Sequence, residues 1–145
     1  MNLQVRPIAY SEPLFAPLLA DAEQGGGAFM LRLRDEWLSG AQRFDGAGEF
    51  LVGAFRGEEL AGVGGVSRDP YDQTPGLGRV RHLYVLQRLR GMGVGGALVE
   101  AIVARARGHW QILRLRTSNP NAARLYERHG FQPLAGGEET HLRRL

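Results

Sequence analysis

The chain has 145 residues, of which 43% are hydrophobic and 23% are charged, and this composition predicts one ordinary globular domain over residues 1–145. The absence of cysteine excludes a disulfide framework and a thiolate metal site, and the four histidines are too scattered to suggest metal ligands, so we expect no metal. The sequence has no apolar run of membrane-spanning length and no signal-peptide core at its start, which predicts a cytoplasmic protein with no membrane partner.

The positive charge is dispersed rather than concentrated. All 18 basic residues are arginine, yet the formal net charge is only +3. A nucleic-acid-binding protein is expected to gather its positive charge into one patch, and no such run occurs in this sequence. The charge pattern therefore argues against a nucleic-acid partner.

The first half of the chain predicts two helices between strands. Apolar spacing, with breaks at glycine, favours helices at Glu12–Ala22 and Phe29–Leu38, separated by the flexible Gly25–Gly27. Phe29 and Trp37 have the spacing of core residues. The strands predicted here are Leu3–Val5, Phe50–Phe55, Leu60–Val66 and, after a loop over Arg68–Gly78, Val80–Val85.

The second half continues the alternation of helices and strands. A helix follows the glycine-rich stretch, and a strand is predicted over Trp110–Thr117. A short helix opens at Pro120 and ends at Gly130, and a last pair of strands is predicted within Phe131–Leu145. This order predicts a mixed α/β sheet domain.

The most informative stretch is the glycine-rich turn that joins the strand Val80–Val85 to the next helix. It comprises Arg90, Gly91, Met92, Gly93, Val94, Gly95 and Gly96. Amide groups in the first turn of a helix have no intrahelical acceptor, and the helix dipole adds positive charge there. Glycine lets such a backbone come close to a phosphate. The turn therefore predicts a site for a phosphate-bearing ligand.

Three other interpretations of this turn can be considered, and the sequence excludes one of them. Gly91, Gly93 and Gly96 match a dinucleotide fingerprint, although the expected acidic residue about twenty positions later is absent from Gln111–Arg116. A Walker loop requires a lysine, and the sequence has none. The turn could also serve only to let a helix pack against the sheet.

Two motifs together resemble the GNAT superfamily of N-acetyltransferases. Arg90-x-x-Gly93-x-Gly95, preceded by Leu83–Val85, is similar to the family's acetyl-CoA signature and its fourth strand. The segment Asn119–Phe131, which reads NPNAARLYERHGF, is similar to a second family motif in the same register. The order of the elements agrees over nearly the whole chain. The resemblance therefore implies a GNAT-like acyl-CoA N-acyltransferase fold, which is an α/β fold with a mixed, mostly antiparallel central sheet and flanking helices.

The resemblance implies a role for each part of these motifs. Backbone amides from Arg90 to Gly96 would hold the pyrophosphate of acetyl-CoA, in a gap where the fourth and fifth strands splay apart. The strand residues Leu83, Tyr84 and Val85 would supply main-chain hydrogen bonds to the pantetheine arm and the thioester carbonyl. Asn119 would bond the same arm.

Tyr126 is the expected general acid. In the family it would protonate the departing thiolate, a transfer between groups of similar ordinary pKa. Because the chain has no cysteine to carry an acyl group, we expect direct transfer to a primary amine of the acceptor. The alternative for Tyr126 is a core aromatic residue at helical spacing with Ala122 and Leu125.

The chain departs from the family where many members have a glutamate that helps to deprotonate the amine, since Arg79 stands there. Strand alternation predicts Arg79 and Arg81 on the same face as Leu83. We therefore expect an acceptor with a carboxylate or phosphate that pairs with Arg79 or Arg81; ordinary surface arginines are the alternative. The base candidates are a water chain, His82, Glu49 and the loop Asp69–Asp72.

The sequence does not choose the amine acceptor, which could be a small amine, an amino acid or a peptide. The resemblance places one wall of the acceptor site in the N-terminal third, and it makes a homodimer possible. Two other classes of function are open: a GNAT-fold module that binds acyl-CoA without catalysis, and a dinucleotide-dependent enzyme that would bind NAD.

Overall fold

Residues 2–145, which the computed structural model describes, form one seven-stranded sheet with four α-helices. The strands are β1 Gln4–Ile8, β2 Phe50–Arg56, β3 Glu59–Arg68, β4 Leu77–Val85, β5 Ile112–Leu115, β6 Gln132–Pro133 and β7 His141–Arg144. The helices are α1 Glu12–Gly25, α2 Phe29–Ser39, α3 Val94–Ala106 and α4 Pro120–Arg128. The sheet order is β1-β2-β3-β4-β5-β7-β6, and only the β4–β5 pair is parallel. The predicted mixed, mostly antiparallel α/β fold is confirmed.

Local signals set most of the helix boundaries. The Ser11 side chain accepts the Leu14 N–H at the start of α1, and Gly26, with φ of 78°, ends that helix. Asn119 caps α4, and Pro120 occupies its first turn, where the missing N–H costs nothing. Gly40 ends α2 in the same left-handed conformation as Gly26. These ends lie within three residues of the predicted ones.

Two strands also differ from the prediction. The fourth strand begins at Leu77, three residues earlier than expected. The fifth is shorter than expected, because Trp110 lies before it. The Trp110 side chain is buried, and its Nε1–H donates to the Gly48 carbonyl at 2.8 Å, so its apolar character reflects packing beside the sheet rather than pairing within it.

Helices cover both faces of the central strands. Eight consecutive residues of β3, Leu60–Ser67, are buried, which is the pattern of a strand covered on both sides. A Cβ on Gly64 would lie 2.9 Å from Ile102 Cδ1 of α3, whereas one on Gly65 would lie 2.7 Å from Leu51 Cδ2 and 3.4 Å from Phe44 Cε1. Glycine at these two positions lets the layers pack closely against the sheet.

The sheet opens between β4 and β5. Their pairing begins at Leu77 and Ile112 and ends at Arg79 and Arg114, although β4 continues to Val85. The predicted separation of these two strands is therefore present. It leaves one edge of the second half of β4 facing a gap.

A bulge in β4 corrects the predicted alternation. His82 has φ of 57°, and the β3–β4 register shifts between Val63 and Gly65. After the bulge, Leu83 lies 3.1 Å from a Cβ placed on Gly64, on the α3 face, while Arg81 pairs with Glu36 of α2 on the other face. The prediction that Arg81 and Arg79 share a face with Leu83 is wrong, because the bulge inserts one extra residue and reverses the alternation.

Candidate active site

A cleft of about 920 Å³ lies where β4 and β5 separate. Its walls come from residues 79–85 of β4, the glycine-rich turn, the segment 115–119 after β5, and α4. Residues 25–27 between the first two helices, with Phe29 and Arg32, close another side. The cleft thus brings together the two sequence motifs and the predicted acceptor wall.

The glycine-rich turn presents unpartnered amides at the start of α3. The first intrahelical bond is that of the Ala97 N–H to the Gly93 carbonyl (3.1 Å), so the amides of Val94, Gly95 and Gly96 precede the helical ladder. Gly91 and Gly93 have φ of 78° and 89°, and a Cβ on either would meet no atom within 4 Å. This part of the turn is an open cradle that suits an anion.

The other two glycines of the turn serve packing. A Cβ on Gly95 would lie 2.9 Å from Leu125 Cδ2, and one on Gly96 would lie 3.2 Å from His129 Nε2. These glycines therefore let the start of α3 approach α4 closely. The side chains of Met92, 57% exposed, and Val94, buried in the core, do not line the cleft, so any contribution from them is made by the main chain.

Tyr84 connects the cleft to α1. Its hydroxyl donates to the Asp21 carboxylate at 2.7 Å, and the Arg90 guanidinium carbon lies 5.2 Å from the centre of its ring. Burial, with the hydrogen bond and negative charge of Asp21, raises the pKa of Tyr84 to about 12. The Arg90 Nε–H donates to the Val85 carbonyl at 3.0 Å. Arg90, the first residue of the motif, thus holds the end of β4 in place before the glycine-rich turn.

Tyr126 lies in the wall of the cleft opposite β4. The residue is 5% exposed, and its ring contacts those of Phe131 and His141 at centroid distances of 5.4 and 6.4 Å. Burial raises the pKa of its hydroxyl above the ordinary value, which keeps the phenol protonated. Within residues 2–145, no other side chain or backbone group hydrogen-bonds this hydroxyl.

Asn119 has a structural task that limits its other contacts. Its Oδ1 accepts the N–H groups of Asn121 at 2.8 Å and Ala122 at 3.1 Å. The residue also lines the cleft. Only its side-chain NH₂ is therefore available to donate to a ligand.

The carboxylates considered as bases lie outside the cleft. Glu49 accepts from the Arg68 N–H at 2.8 Å, and Asp69, fully buried, pairs with Arg114 at 2.5 Å. Asp72 accepts the Thr74 hydroxyl at 2.6 Å. None of the three belongs to the cleft wall, because each is turned towards its partner.

Tyr71 of the loop Asp69–Asp72 lies in the wall and is 74% exposed. The other base candidate in the wall is His82. It is 9% exposed and packs edge-on against Phe44, and its Nε2 has no hydrogen-bond partner in the described part of the chain. Burial, together with the charges of Arg81 and Arg32, lowers the pKa of His82 to about 3. A group with so low a pKa is a poor proton acceptor near neutral pH.

Arg79 and Arg81 both line the cleft, each with an acidic partner. Arg79 contacts Glu139 at 2.7 Å, and Arg81 contacts Glu36 at 3.3 Å. Arg32 and Phe29, both from the first turn of α2, also line the cleft, although the sequence analysis did not propose Arg32 and expected Phe29 to be packed in the core. Phe29 is 40% exposed. Helical periodicity alone does not reveal that this end of α2 borders a cleft.

Comparison with known families settles the class of this site. Residues 16–131 match the acetyltransferase (GNAT) family model. The chain belongs to the GNAT family of acetyltransferases. Among curated proteins, none is similar enough in sequence to match the chain.

Solved GNAT structures support the same fold. A candidate acetyltransferase from Exiguobacterium sp. 255-15 is 26% identical with a TM-score of 0.86, over 99% of this chain and 94% of that one. A candidate GNAT-family acetyltransferase from Desulfovibrio desulfuricans is 22% identical with a TM-score of 0.72, over 99% and 98% of the two chains. The ribosomal-protein-alanine N-acetyltransferase of Brucella melitensis is 18% identical with a TM-score of 0.73, over 98% and 99%.

Membership in the GNAT family assigns the chain to proteins that use acyl-CoA as the co-substrate of acyl transfer. This favours the acyl-CoA interpretation of the glycine-rich turn over the dinucleotide one. Among the helices of residues 2–145, none has the length and apolar character that a membrane span requires.

Proposed function

We propose that this GNAT protein transfers the acetyl group of acetyl-CoA directly to a primary amine. The observation that carries the proposal is the open cradle at Gly91 and Gly93, which shares one cleft with the Tyr126 hydroxyl. Acetyl-CoA supplies the activated acyl group, and the cradle fits the charge of its pyrophosphate. The amides of Val94, Gly95 and Gly96 would bind that pyrophosphate, with Asn119 donating to the pantetheine arm.

The free edge of β4 would position the thioester. Because pairing with β5 stops at Arg79, the main chain of Leu83, Tyr84 and Val85 is free to bond an extended ligand. A backbone N–H aimed at a thioester carbonyl stabilises the negative charge that develops on its oxygen. The bulge at His82 sets which backbone groups of this edge face the gap.

Tyr126 would act as the general acid. In the transfer, the amine nitrogen forms a bond to the acetyl carbon, the carbon–sulfur bond breaks, and the sulfur leaves as a thiolate. Tyr126 donates its phenolic proton to that sulfur, and the amine loses a proton to water. The buried phenol is protonated at neutral pH and so has a proton to donate, and the same burial makes it a weaker acid than an exposed tyrosine. Tyr126 recovers its proton from solvent after the transfer.

The absence of a carboxylate from the cleft wall favours acceptors whose amines lose a proton readily. An α-amino group has an ordinary pKa of about 8, whereas that of a lysine side chain is about 10.4. Near neutral pH, a much larger fraction of the first is neutral and able to attack. We therefore expect α-amines to react faster than alkylamines.

Calorimetric titration with acetyl-CoA, with NAD as the control ligand, tests the proposal. We expect micromolar binding of acetyl-CoA and no binding of NAD. Turnover can be followed with a thiol reagent, because the protein has no cysteine to react and the signal comes from released CoA alone. Binding of NAD without acetyl-CoA would refute the proposal. Binding of acetyl-CoA with no turnover for any amine would favour a non-catalytic acyl-CoA-binding module.

A further inference from the structure

The ionisable groups of the cleft wall are strongly biased towards positive charge. Within residues 2–145, the wall contains no aspartate or glutamate. Its arginines are Arg32, Arg79, Arg81, Arg90, Arg116, Arg124 and Arg128. Arg90, Arg124 and Arg128 belong to the turn and to α4, where coenzyme phosphates are expected, whereas Arg32, Arg79 and Arg81 lie beside the predicted acceptor wall. This second group requires a separate explanation.

Arg79 already forms an ion pair with an acidic residue of the protein. Its contact with Glu139 is 2.7 Å long, and the two side chains are only 14% and 13% exposed. The Arg79 guanidinium carbon also lies 5.1 Å from the centre of the Tyr71 ring. One carboxylate therefore balances one guanidinium here, and the pair joins β4 to the loop before β7.

Glu36 is the single carboxylate near both Arg81 and Arg32, and it pairs with Arg81. Within residues 2–145, the ion pair of Arg81 is a 3.3 Å contact from NH2 to Glu36, which leaves most of its five N–H donors without a protein acceptor. Arg32 lies four residues before Glu36 on α2, on the same helix face, and within the described residues it makes no ion pair or hydrogen bond. Glu36 can neutralise only one of the two charges.

The ion pair with Glu36 places the two arginines in the same part of the cleft wall. Arg81 reaches Glu36 from β4, Arg32 lies one helical turn before Glu36 on α2, and both arginines line the cleft together with His82. The charges of both arginines also act on the His82 imidazole, in agreement with this placement. The imidazole is neutral, and no acid lies beside it in the wall to offset the charge. The surroundings of His82 therefore carry one uncompensated positive charge.

We propose that Arg32 and Arg81 bind an anionic group, a carboxylate or a phosphate, on the amine acceptor. The planar guanidinium group matches either anion through paired N–H donors, and two arginines from different elements fix its direction as well as its charge. This inference rests on the proposed acetyl transfer and names the class of its acceptor. It also replaces the pairing expected from the sequence, since Arg32 takes the place of Arg79.

The test uses pairs of amines that differ in the anion. Glycylglycine and glycylglycinamide both present an α-amine, but only the first has a carboxylate. O-phosphoethanolamine and ethanolamine make the same comparison for phosphate. Each is titrated calorimetrically into the protein saturated with CoA. We expect the anionic member of at least one pair to bind on the order of tenfold more tightly, and the pair that shows the preference identifies the anion.

Two variants and a matched control show which arginines cause the preference for the anionic amine. Arg32→Gln and Arg81→Gln should each reduce the preference to less than about threefold, while binding of the two amines without an anionic group and of acetyl-CoA is unchanged. Arg34→Gln removes the same charge from α2 at a residue that pairs with Asp35 outside the cleft wall, and it should retain the full preference.

Three outcomes would overturn the inference while acetyl-CoA still binds: equal binding within both pairs, no binding of any of the four amines, or an equal loss of preference in Arg34→Gln. Failure of the wild-type protein to bind acetyl-CoA would instead refute the proposed function itself. The two failures are therefore distinguishable in one set of titrations.

Discussion

The hydroxyl of Tyr84 donates to the carboxylate of Asp21 at 2.7 Å, across 63 positions of the sequence. The same carboxylate accepts the Gln87 N–H at 3.1 Å. Burial acts to raise the pKa of Asp21, but these hydrogen bonds and the charge of Arg90 outweigh it, so the pKa lies below its ordinary value. An ionised aspartate on α1 therefore holds both the end of β4 and the start of the segment that leads to the glycine-rich turn.

Asp21→Asn should weaken this connection. An amide in place of the carboxylate accepts more weakly from Tyr84 and Gln87, so we expect a loss of about 1–2 kcal/mol in the free energy of unfolding. The dissociation constant for acetyl-CoA should rise severalfold. Urea unfolding and calorimetry measure the two effects. Glu23→Gln changes an exposed carboxylate on the same helix and should alter neither; equal effects in both variants would contradict the role of Asp21.

Gly27→Ala should disturb Tyr84 from the other side. The new Cβ would lie 2.7 Å from Tyr84 Cε1 and 3.1 Å from Ala22 Cβ, so the tyrosine ring must move. Overpacking of this kind costs about 1–3 kcal/mol, and we expect weaker binding of acetyl-CoA as well. Gly137→Ala is the control, because a Cβ there meets nothing within 4 Å and its φ is not positive. If the two variants have the same stability and the same affinity for acetyl-CoA, the contact with Tyr84 contributes to neither property.

His82 makes stability depend on pH. Its pKa is about 3 in the folded protein and about 6.5 when exposed, so the unfolded chain takes up a proton that the folded chain does not. The free energy of unfolding therefore falls as the pH drops below about 6.5, and it continues to fall until about pH 3. His82→Asn removes this contribution, and asparagine tolerates the left-handed backbone found at this position.

The comparison is urea unfolding at pH 7 and at pH 5. Between these values, wild type should lose about 2 kcal/mol more stability than His82→Asn does. Other acidic and basic groups are common to both proteins and cancel in the difference. Parallel losses would show that His82 is not held neutral in the fold.

Tyr126→Phe separates catalysis from binding. Removing the phenolic proton donor should lower kcat on the order of 100-fold. The dissociation constant for acetyl-CoA should stay within about twofold, because the ring that packs against Phe131 is retained. Discontinuous assays of CoA release measure kcat, and calorimetry on the same preparation measures the dissociation constant for acetyl-CoA. Unchanged turnover would remove the general-acid role and leave Tyr126 as a packing residue.

The pH dependence of turnover should follow the acceptor rather than the enzyme. Since no carboxylate lines the cleft and His82 titrates near 3, kcat/KM should rise with pH until the amine itself is deprotonated. Replacing a peptide α-amine with an alkylamine should move the midpoint up by about 2 units. The measurement is kcat/KM from pH 6 to 10 for both acceptors. A midpoint common to both would reveal a base on the protein.

Local chemistry made much of the fold and the backbone shape of the glycine-rich turn predictable. Glycines with positive φ, Ser11 and Asn119 as helix caps, and the spacing of Asn119 and Tyr126 act within short windows of sequence. The mixed α/β sheet followed from the order of these elements. The turn at Gly91 and Gly93 was recognisable for the same reason, since its backbone conformation depends on the residues themselves.

The sequence by itself therefore determined the elements, their order and the two GNAT motifs, whereas the tertiary structure decided the surroundings of Arg32 and Arg81. The bulge at His82 depends on register with β3, and it separates Arg81 from Leu83. Glu36 and Glu139 lie 45 and 60 positions from the arginines they contact. Arg32 reaches the cleft only because α2 packs beside β4. Contacts across such separations arise when distant segments pack together, and no short pattern in the chain encodes them.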